Sequence, residues 1–314
     1  MKIIAVYIGV VLIWSTTPLA IKWSNSSLSF MAAVSLRMLI AALICVVLLV
    51  IFRKKLIRSR RDWHAMLAGA LGLFPNMALV YWSAQFIPSG LISVVFGVYP
   101  FMVGVFSVFI LKENPFNFSR VLALIIALVG LLVIHLGQLN FGDNALYGII
   151  GLVVSTLFFA LSTVWLKSLG GGIEPLRQLA GTLLIATPCF AITWLFFDGE
   201  LPTNIDTRSI VGVTYLVVAG SIFGGLGFYY VLRHCLVSTV ALIPLMTPVV
   251  ALMVGYFIEG EVLNNTSILG SFLVLFSLAV YQGALRSFEP NRMAAKITGA
   301  VSIDATARSK PKTI

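Results

Sequence analysis

The sequence predicts an all-α polytopic membrane protein with ten transmembrane helices arranged as two inverted five-helix repeats. Three observations carry the prediction. The chain of 314 residues is 60% hydrophobic and 10% charged, with a mean hydropathy of +1.04, whereas soluble domains carry about 25% charged residues. Its apolar residues fall into ten windows long enough to cross a bilayer. A segment from Tyr81 to Glu113 recurs from Tyr229 to Glu261, about 148 positions later, with Pro100 matched to Pro248 and Phe109 to Phe257.

The windows cover roughly residues 3–22, 30–52, 63–86, 89–111, 118–137, 145–167, 176–197, 208–233, 237–258 and 266–285. Barrel strands would alternate over about ten residues, and runs such as Val121–Val133 do not. The opening Met1-Lys2 and its apolar run imitate a signal peptide. Ser15-Thr16-Thr17-Pro18 offers no clear cleavage site, however, and nine spans follow, so the run reads as a retained first helix. Ile87-Pro88 leaves a two-residue turn, which makes the third and fourth spans antiparallel neighbours. The longest connections are 53–62 and 198–207. The repeats are expected at 1–140 and 141–286, followed by a basic cytoplasmic tail at 287–314, disordered beyond about Arg292. The Asn-x-Ser/Thr matches at Asn25, Asn117, Asn264 and Asn265 sit at span boundaries and read as helix caps before glycosylation sites.

Basic residues set the orientation. With the N-terminus in the cytoplasm, one side of the membrane carries 18 of the 21 Lys and Arg residues, including the cluster from Arg53 to Arg61; the other carries only Lys22 and Arg208. Positive charge stays cytoplasmic during insertion, so both termini are expected inside a plasma membrane. The net charge of +10 is then a topology signal and a contact with anionic lipid. A nucleic-acid surface is excluded, because the basic residues are scattered over separate loops without interleaved aromatic platforms. Five spans per half is an odd number, so the second half enters the membrane in the opposite sense, placing Glu113 inside and Glu261 outside. Inverted halves can exchange conformations and move the access path across a fixed central site, which is alternating access.

Other classes fit poorly. Cys45, Cys189 and Cys235 form no CxxC or Cys/His cluster, and His64, His135 and His234 share no metal-like spacing, so neither a metal nor a cofactor is expected. GxSxG, HExxH and Walker A patterns are absent, as is a filter-like sequence, against an enzyme or a channel. A non-transporting membrane receptor or scaffold remains the rival reading. Nothing in the sequence demands a partner chain, and a monomer is the expectation.

Candidate site residues follow from polar and aromatic groups inside spans. Arg37 is the basic residue that lies within a span, and its guanidinium suits a carboxylate or phosphate. The alternative is snorkelling, since the eighth residue of its helix is only about 10 Å deep. Trp14, Asn76, Tyr81, Tyr99, Trp165 and Tyr229 complete the expected substrate-binding set; aromatic belts and core packing are the competing explanations. Asn76 lies mid-span, where an amide needs a partner or a wet cavity. Pro100 and Pro248 are the expected hinges. Glycines in 220–227 favour close helix approach. Glu113 and Glu261 read as caps for the following helices, and no acidic residue stands mid-membrane for a proton relay.

These features together resemble a family. WSTTPLAIK (14–22), SLRMLIAAL (35–43), FILKE (109–113) and FIEGE (257–261), in their order and spacing, resemble the EamA-type members of the drug/metabolite transporter superfamily over about Ile3 to Leu285. The resemblance implies a plasma-membrane carrier, usually bacterial and often an exporter of amino acids or other small metabolites; the family is broad, so it says little about the substrate. Gln178 falls near the place where the first half carries Arg37, a departure from symmetric charge binding.

Overall fold

The computed structural model describes residues 2–87, 89–135, 144–197, 199–200, 202–254 and 265–286, and among these the regular structure is helical, with no strand. Pro88, Asn264, Glu261 with its 257–261 segment, and the tail 287–314 lie outside the described residues. Helices α1 (Lys2–Ser24) and α2 (Phe30–Ile51) are continuous. The next two windows are subdivided, into α3 (Arg60–Leu71) and α4 (Asn76–Ser83), then α5 (Ser89–Phe96), α6 (Tyr99–Phe106) and a π-helical turn at Ser107–Leu111. Helices α7 (Phe118–His135), α8 (Ala145–Ser168) and α9 (Pro175–Phe197) follow. A π-helical segment, Leu216–Phe223, joins α10 (Thr207–Tyr215) to α11 (Gly224–His234). The chain continues through α12 (Val237–Val240), α13 (Ile243–Val254) and α14 (Asn265–Arg286).

Among the described residues, seven helical stretches (2–24, 30–51, 60–83, 94–111, 145–168, 175–197 and 207–234) are long and apolar enough to cross a membrane. Three shorter apolar helices, 118–134, 237–253 and 265–281, accompany them. Large apolar side chains such as Phe118 and Phe196 project outward, as a surface solvated by lipid requires. Tyr81, Tyr99 and Phe190 are fully buried at the centre.

Polar side chains fix where helices start. Ser29 Oγ accepts from Ala32 N at 3.1 Å to cap α2, and Asn117 Oδ1 accepts from Arg120 N at 2.8 Å to cap α7. At α3 the cap is reciprocal: Ser59 Oγ accepts from Asp62 N, while Asp62 accepts from Arg58 N. Asp206 caps α10 by accepting from Ser209 N at 2.6 Å. The break between α3 and α4 leaves the Gly72 carbonyl without its helical donor. The Asn76 amide takes that place at 2.6 Å, and its own oxygen accepts from Ser155 Oγ on α8.

The two expected hinge prolines sit differently. Pro100 follows the break between α5 and α6 directly, in the first turn of α6. Pro248 lies inside the uninterrupted α13, and the proline beside the α12–α13 break is Pro244. Pro fits a first helical turn because it has no N–H to lose there, so Pro244 is the natural break residue of that window.

Packing relates the parts of the chain reciprocally. Helix α1 packs on α10, α11 and α13, while α8 packs on α3, α4 and α6. Helix α2 lies on α9, and α7 on α14. The α7–α14 crossing is built on glycine: a Cβ at Gly130 would stand 2.8 Å from the Gly270 carbonyl oxygen, and one at Gly270 would stand 2.5 Å from that of Gly130.

Two polar ties fasten helix starts across the molecule. Arg177, at the start of α9, forms a buried ion pair with Asp62 and donates to the carbonyls of Lys55 at 2.7 Å and Leu56 at 3.0 Å. Lys54 pairs with Glu174 beside it. In the second tie, Ser26 and Ser27, between α1 and α2, donate to Asp206, and Ser27 N donates to Ser209 Oγ at 2.9 Å. Each tie pins the start of a third helix (α3 or α10) to the approach of a second helix (α9 or α2).

Candidate functional site

A cavity of about 170 Å³ lies at the centre, with wall residues drawn from α1, α2, α3, α4, α5, α8, α9, α11, α13 and the π-helical segment. Its wall is mostly apolar: Trp14, Phe159 and Phe228 dominate one side, and Met38, Met77 and Leu179 contribute elsewhere. The aromatic side is an ordered cluster. Trp14 stacks on Phe228 with centroids 5.3 Å apart, Phe159 lies 5.5 Å from Phe228, and Tyr99 stacks behind Phe159 at 4.9 Å.

Arg37 supplies the charge. Its side chain is turned into the protein, with only 5% of the residue exposed, so it does not snorkel to the interface. Its Nε donates to Ser221 Oγ at 2.9 Å and its Nη1 to the Tyr81 hydroxyl at 3.3 Å. Among the described residues no carboxylate lies within ion-pair distance of it. Isolated burial of a charge is costly, and hydroxyl partners offset only part of that cost. The π-helical segment makes the arrangement possible. Widening the helix there presents Gly220 and Ser221 to Arg37, and a Cβ at Gly220 would stand 3.2 Å from Nη2; such bulges recur at functional sites.

A second polar cluster stands on the other side of the cavity. The Tyr229 hydroxyl donates to Thr182 Oγ1 at 3.4 Å, and Gln178 Nε2 donates to Thr182 Oγ1 at 3.1 Å and to the Ala65 carbonyl at 2.7 Å. Gly69 gives these groups room, since a Cβ there would lie 2.1 Å from Thr182 Oγ1. The residue that stands to Tyr229 as Arg37 stands to Tyr81 is therefore Thr182, with Gln178 one turn earlier. The two tyrosines are the matched pair of the duplicated segment.

Of the expected site residues, Trp14, Arg37 and Tyr229 line the cavity. Tyr81 stands immediately behind, fully buried and bonded to Arg37. Tyr99 is a layer further out, its hydroxyl 2.7 Å from Thr163 Oγ1. Asn76 is occupied at the α3–α4 break and with Ser155, and Trp165 packs half-buried against the core; neither is on the cavity wall. Phe159, Phe228 and Ser221 are among the wall residues outside the expected set. The phenylalanines are numerous and evenly spread, and Ser221 sits within a glycine run that reads as packing. A signal for Ser221 exists only once Arg37 is known to turn inward.

The EamA-like transporter family model matches the chain twice, over residues 1–136 and 146–281. An uncharacterized transporter of Archaeoglobus fulgidus is 28% identical over 85% of this chain and 94% of its own length. The uncharacterized transporter YoaV of Bacillus subtilis is 25% identical over 87% and 94%. The uncharacterized inner membrane transporter YedA of Escherichia coli is 24% identical over 86% and 87%. A solved crystal structure aligns over 92% of this chain and 99% of its own with a TM-score of 0.75 at 16% identity, which shows a shared fold. The two family matches cover nearly the whole helical part of the chain, and the protein belongs to the EamA-like transporter family.

Proposed function

We propose that this protein is a secondary transporter that carries a small metabolite across the bacterial plasma membrane by alternating access at the central cavity. The observation that carries the reading is the cavity itself: both family-matched segments line it, and it holds a buried guanidinium with no counter-charge among the described residues. In this reading the chain has ten spans, two inverted five-helix repeats and cytoplasmic termini. The reciprocal packing of α1 and α8 and the paired ties at Arg177–Asp62 and Ser27–Asp206 support the inversion, because they relate equivalent elements of the two segments crosswise. Placed on opposite membrane faces, the ties act as inner and outer latches that open in alternation while the halves rock about the breaks beside Pro100 and Pro244. The direction we assign is export of the small metabolite, as the family resemblance suggests.

Counterflow in proteoliposomes tests this. Proteoliposomes holding the purified protein and preloaded with a pool of unlabelled metabolites accumulate one labelled member saturably and without added energy. A receptor or scaffold gives no saturable flux for any solute. A deletion strain then reports direction, because loss of an exporter makes cells hypersensitive to the exported compound and loss of an importer makes them resistant to its toxic analogue. Single cysteines in the loop at 53–62 and beside Asp206 report sidedness; labelling of both from the same face of intact cells sinks the inverted topology.

A further inference from the structure

We infer that the substrate is a monocarboxylate with an apolar body about the size of one aromatic ring, its carboxylate held by Arg37 and its ring lying against Trp14, Phe159 and Phe228. The inference rests on the proposed transport role and names the substrate class of that same cavity.

The charge comes first. Arg37 is one guanidinium, 95% removed from solvent and bordering the cavity, and its bonds to Ser221 and Tyr81 occupy Nε and Nη1. Both bonds orient the planar fork so that Nη2 lies over Gly220, where the absent side chain leaves it open. A planar guanidinium with a free edge matches a carboxylate, and an anion seated there removes the cost of the uncompensated buried charge. A second donor stands nearby. Among the described residues the Trp14 indole N–H has no acceptor, and it lies 2.8 Å from the position of a Cβ on Gly224. Gly220, on the cavity wall, and Gly224, at the start of α11, are four positions apart in the chain, so the two donors are held by neighbouring glycines.

The rest of the wall sets the body and the charge count. It carries one cation and no Asp, Glu or Lys, so a carboxylate finds a partner while an ammonium group finds no carboxylate. A phosphate dianion would leave one charge unmatched. The volume of about 170 Å³ compares with the ~150 Å³ of an apolar cavity that accepts benzene, which admits one ring and a short acid chain. The Trp14–Phe228–Phe159 cluster gives that ring a stacking surface.

The test uses the full-length protein in lipid nanodiscs and five probes of matched size: 3-phenylpropionate, its methyl ester, phenethylamine, phenylalanine and phenyl phosphate. Binding is read by calorimetry. The expected result is saturable binding of 3-phenylpropionate, with the other four at least about tenfold weaker, the scale for losing one charge-assisted hydrogen bond. R37Q loses the preference for the acid over the ester, and R37K retains part of it. Comparing probes on the unaltered protein needs no variant, so a poorly folded R37Q leaves the inference open to refutation. Binding of any of the four comparison probes as tight as the acid, or no binding of the acid, overturns it. Proteoliposome counterflow separates this from the transport reading. Acid binding without saturable flux sinks transport and leaves the ligand class standing, whereas saturable flux of cationic or neutral solutes alone, unaffected by R37Q, does the reverse.

Discussion

Arg37 Nε donates to Ser221 Oγ at 2.9 Å, joining α2 to the π-helical segment across 184 residues of chain. The bond holds the buried guanidinium in the plane that faces the cavity. Ser221→Ala removes the acceptor and keeps the charge, so the guanidinium loses orientation and one partner. The loss expected is about 1–3 kcal/mol, the range for a hydrogen bond to a charged group, read as a lower denaturation midpoint in detergent. Ser221→Thr keeps the hydroxyl and restores most of it.

Asp62 and Arg177 form a buried ion pair, with side chains 9% and 7% exposed. Removing one member strands its partner, which typically costs about 3–5 kcal/mol. Asp62→Ala is therefore expected to lower stability more than Ser221→Ala does, because it also removes the acceptor of Arg58 N in the α3 cap. Arg177→Met with Asp62→Leu recovers part of the loss, since neither charge is then buried. Thermal melts of the two single variants and the double variant in one detergent decide it; additive single effects contradict the pairing.

At the α7–α14 crossing the two backbones touch through Gly130 and Gly270. Carbonyl oxygen is a neighbour that no rotamer change can move, so a side chain at either position forces the helices apart. Gly130→Val or Gly270→Val should each cost about 1–3 kcal/mol, as overpacking does. Gly283→Val on α14 is the control, because a Cβ there meets nothing within 4 Å. Equal loss at all three positions refutes the close crossing.

The sequence reveals the helical class, the extent of the apolar stretches and the inward-facing candidates Trp14, Arg37 and Tyr229, because hydropathy and a charge out of place are local signals. The windows at 63–86 and 208–233 read as plain spans, yet the first breaks at Gly72–Pro75 and the second widens into a π-helix. Those departures depend on what Asn76 and Arg37 meet from distant helices, and composition does not encode that. The Asp62–Arg177 tie is illegible in the sequence for the same reason. Each residue reads as an ordinary charge at a span end, and only packing of α3 on α9 brings them together across 115 positions. In the sequence Gln178 falls near the place of Arg37, whereas the tyrosine contacts put Thr182 there.

Asp206 gives the second tie a defined acid sensitivity. Hydrogen bonds from Ser26, then from the Ser209 backbone and the Ser209 and Ser27 side chains, favour its carboxylate and lower its pKa from 3.8 to about 2. A depressed carboxylate pKa means that the unfolded chain takes up a proton first as pH falls. The contribution of Asp206 is therefore complete above about pH 4, declines between pH 4 and 2, and is gone below the folded value. Around neutral pH the tie stays charged and closed to titration, so pH does not operate it under ordinary growth conditions. Asp206→Asn keeps the size and one acceptor oxygen but removes the titration. Melting temperatures measured from pH 7 to pH 2 should show a steeper fall below pH 4 for the unaltered protein than for D206N, with Asp62 present in both as a constant background. Parallel curves would mean that the Ser26–Ser27–Asp206–Ser209 contacts do not persist in the folded protein, and the latch assigned to them would go with them.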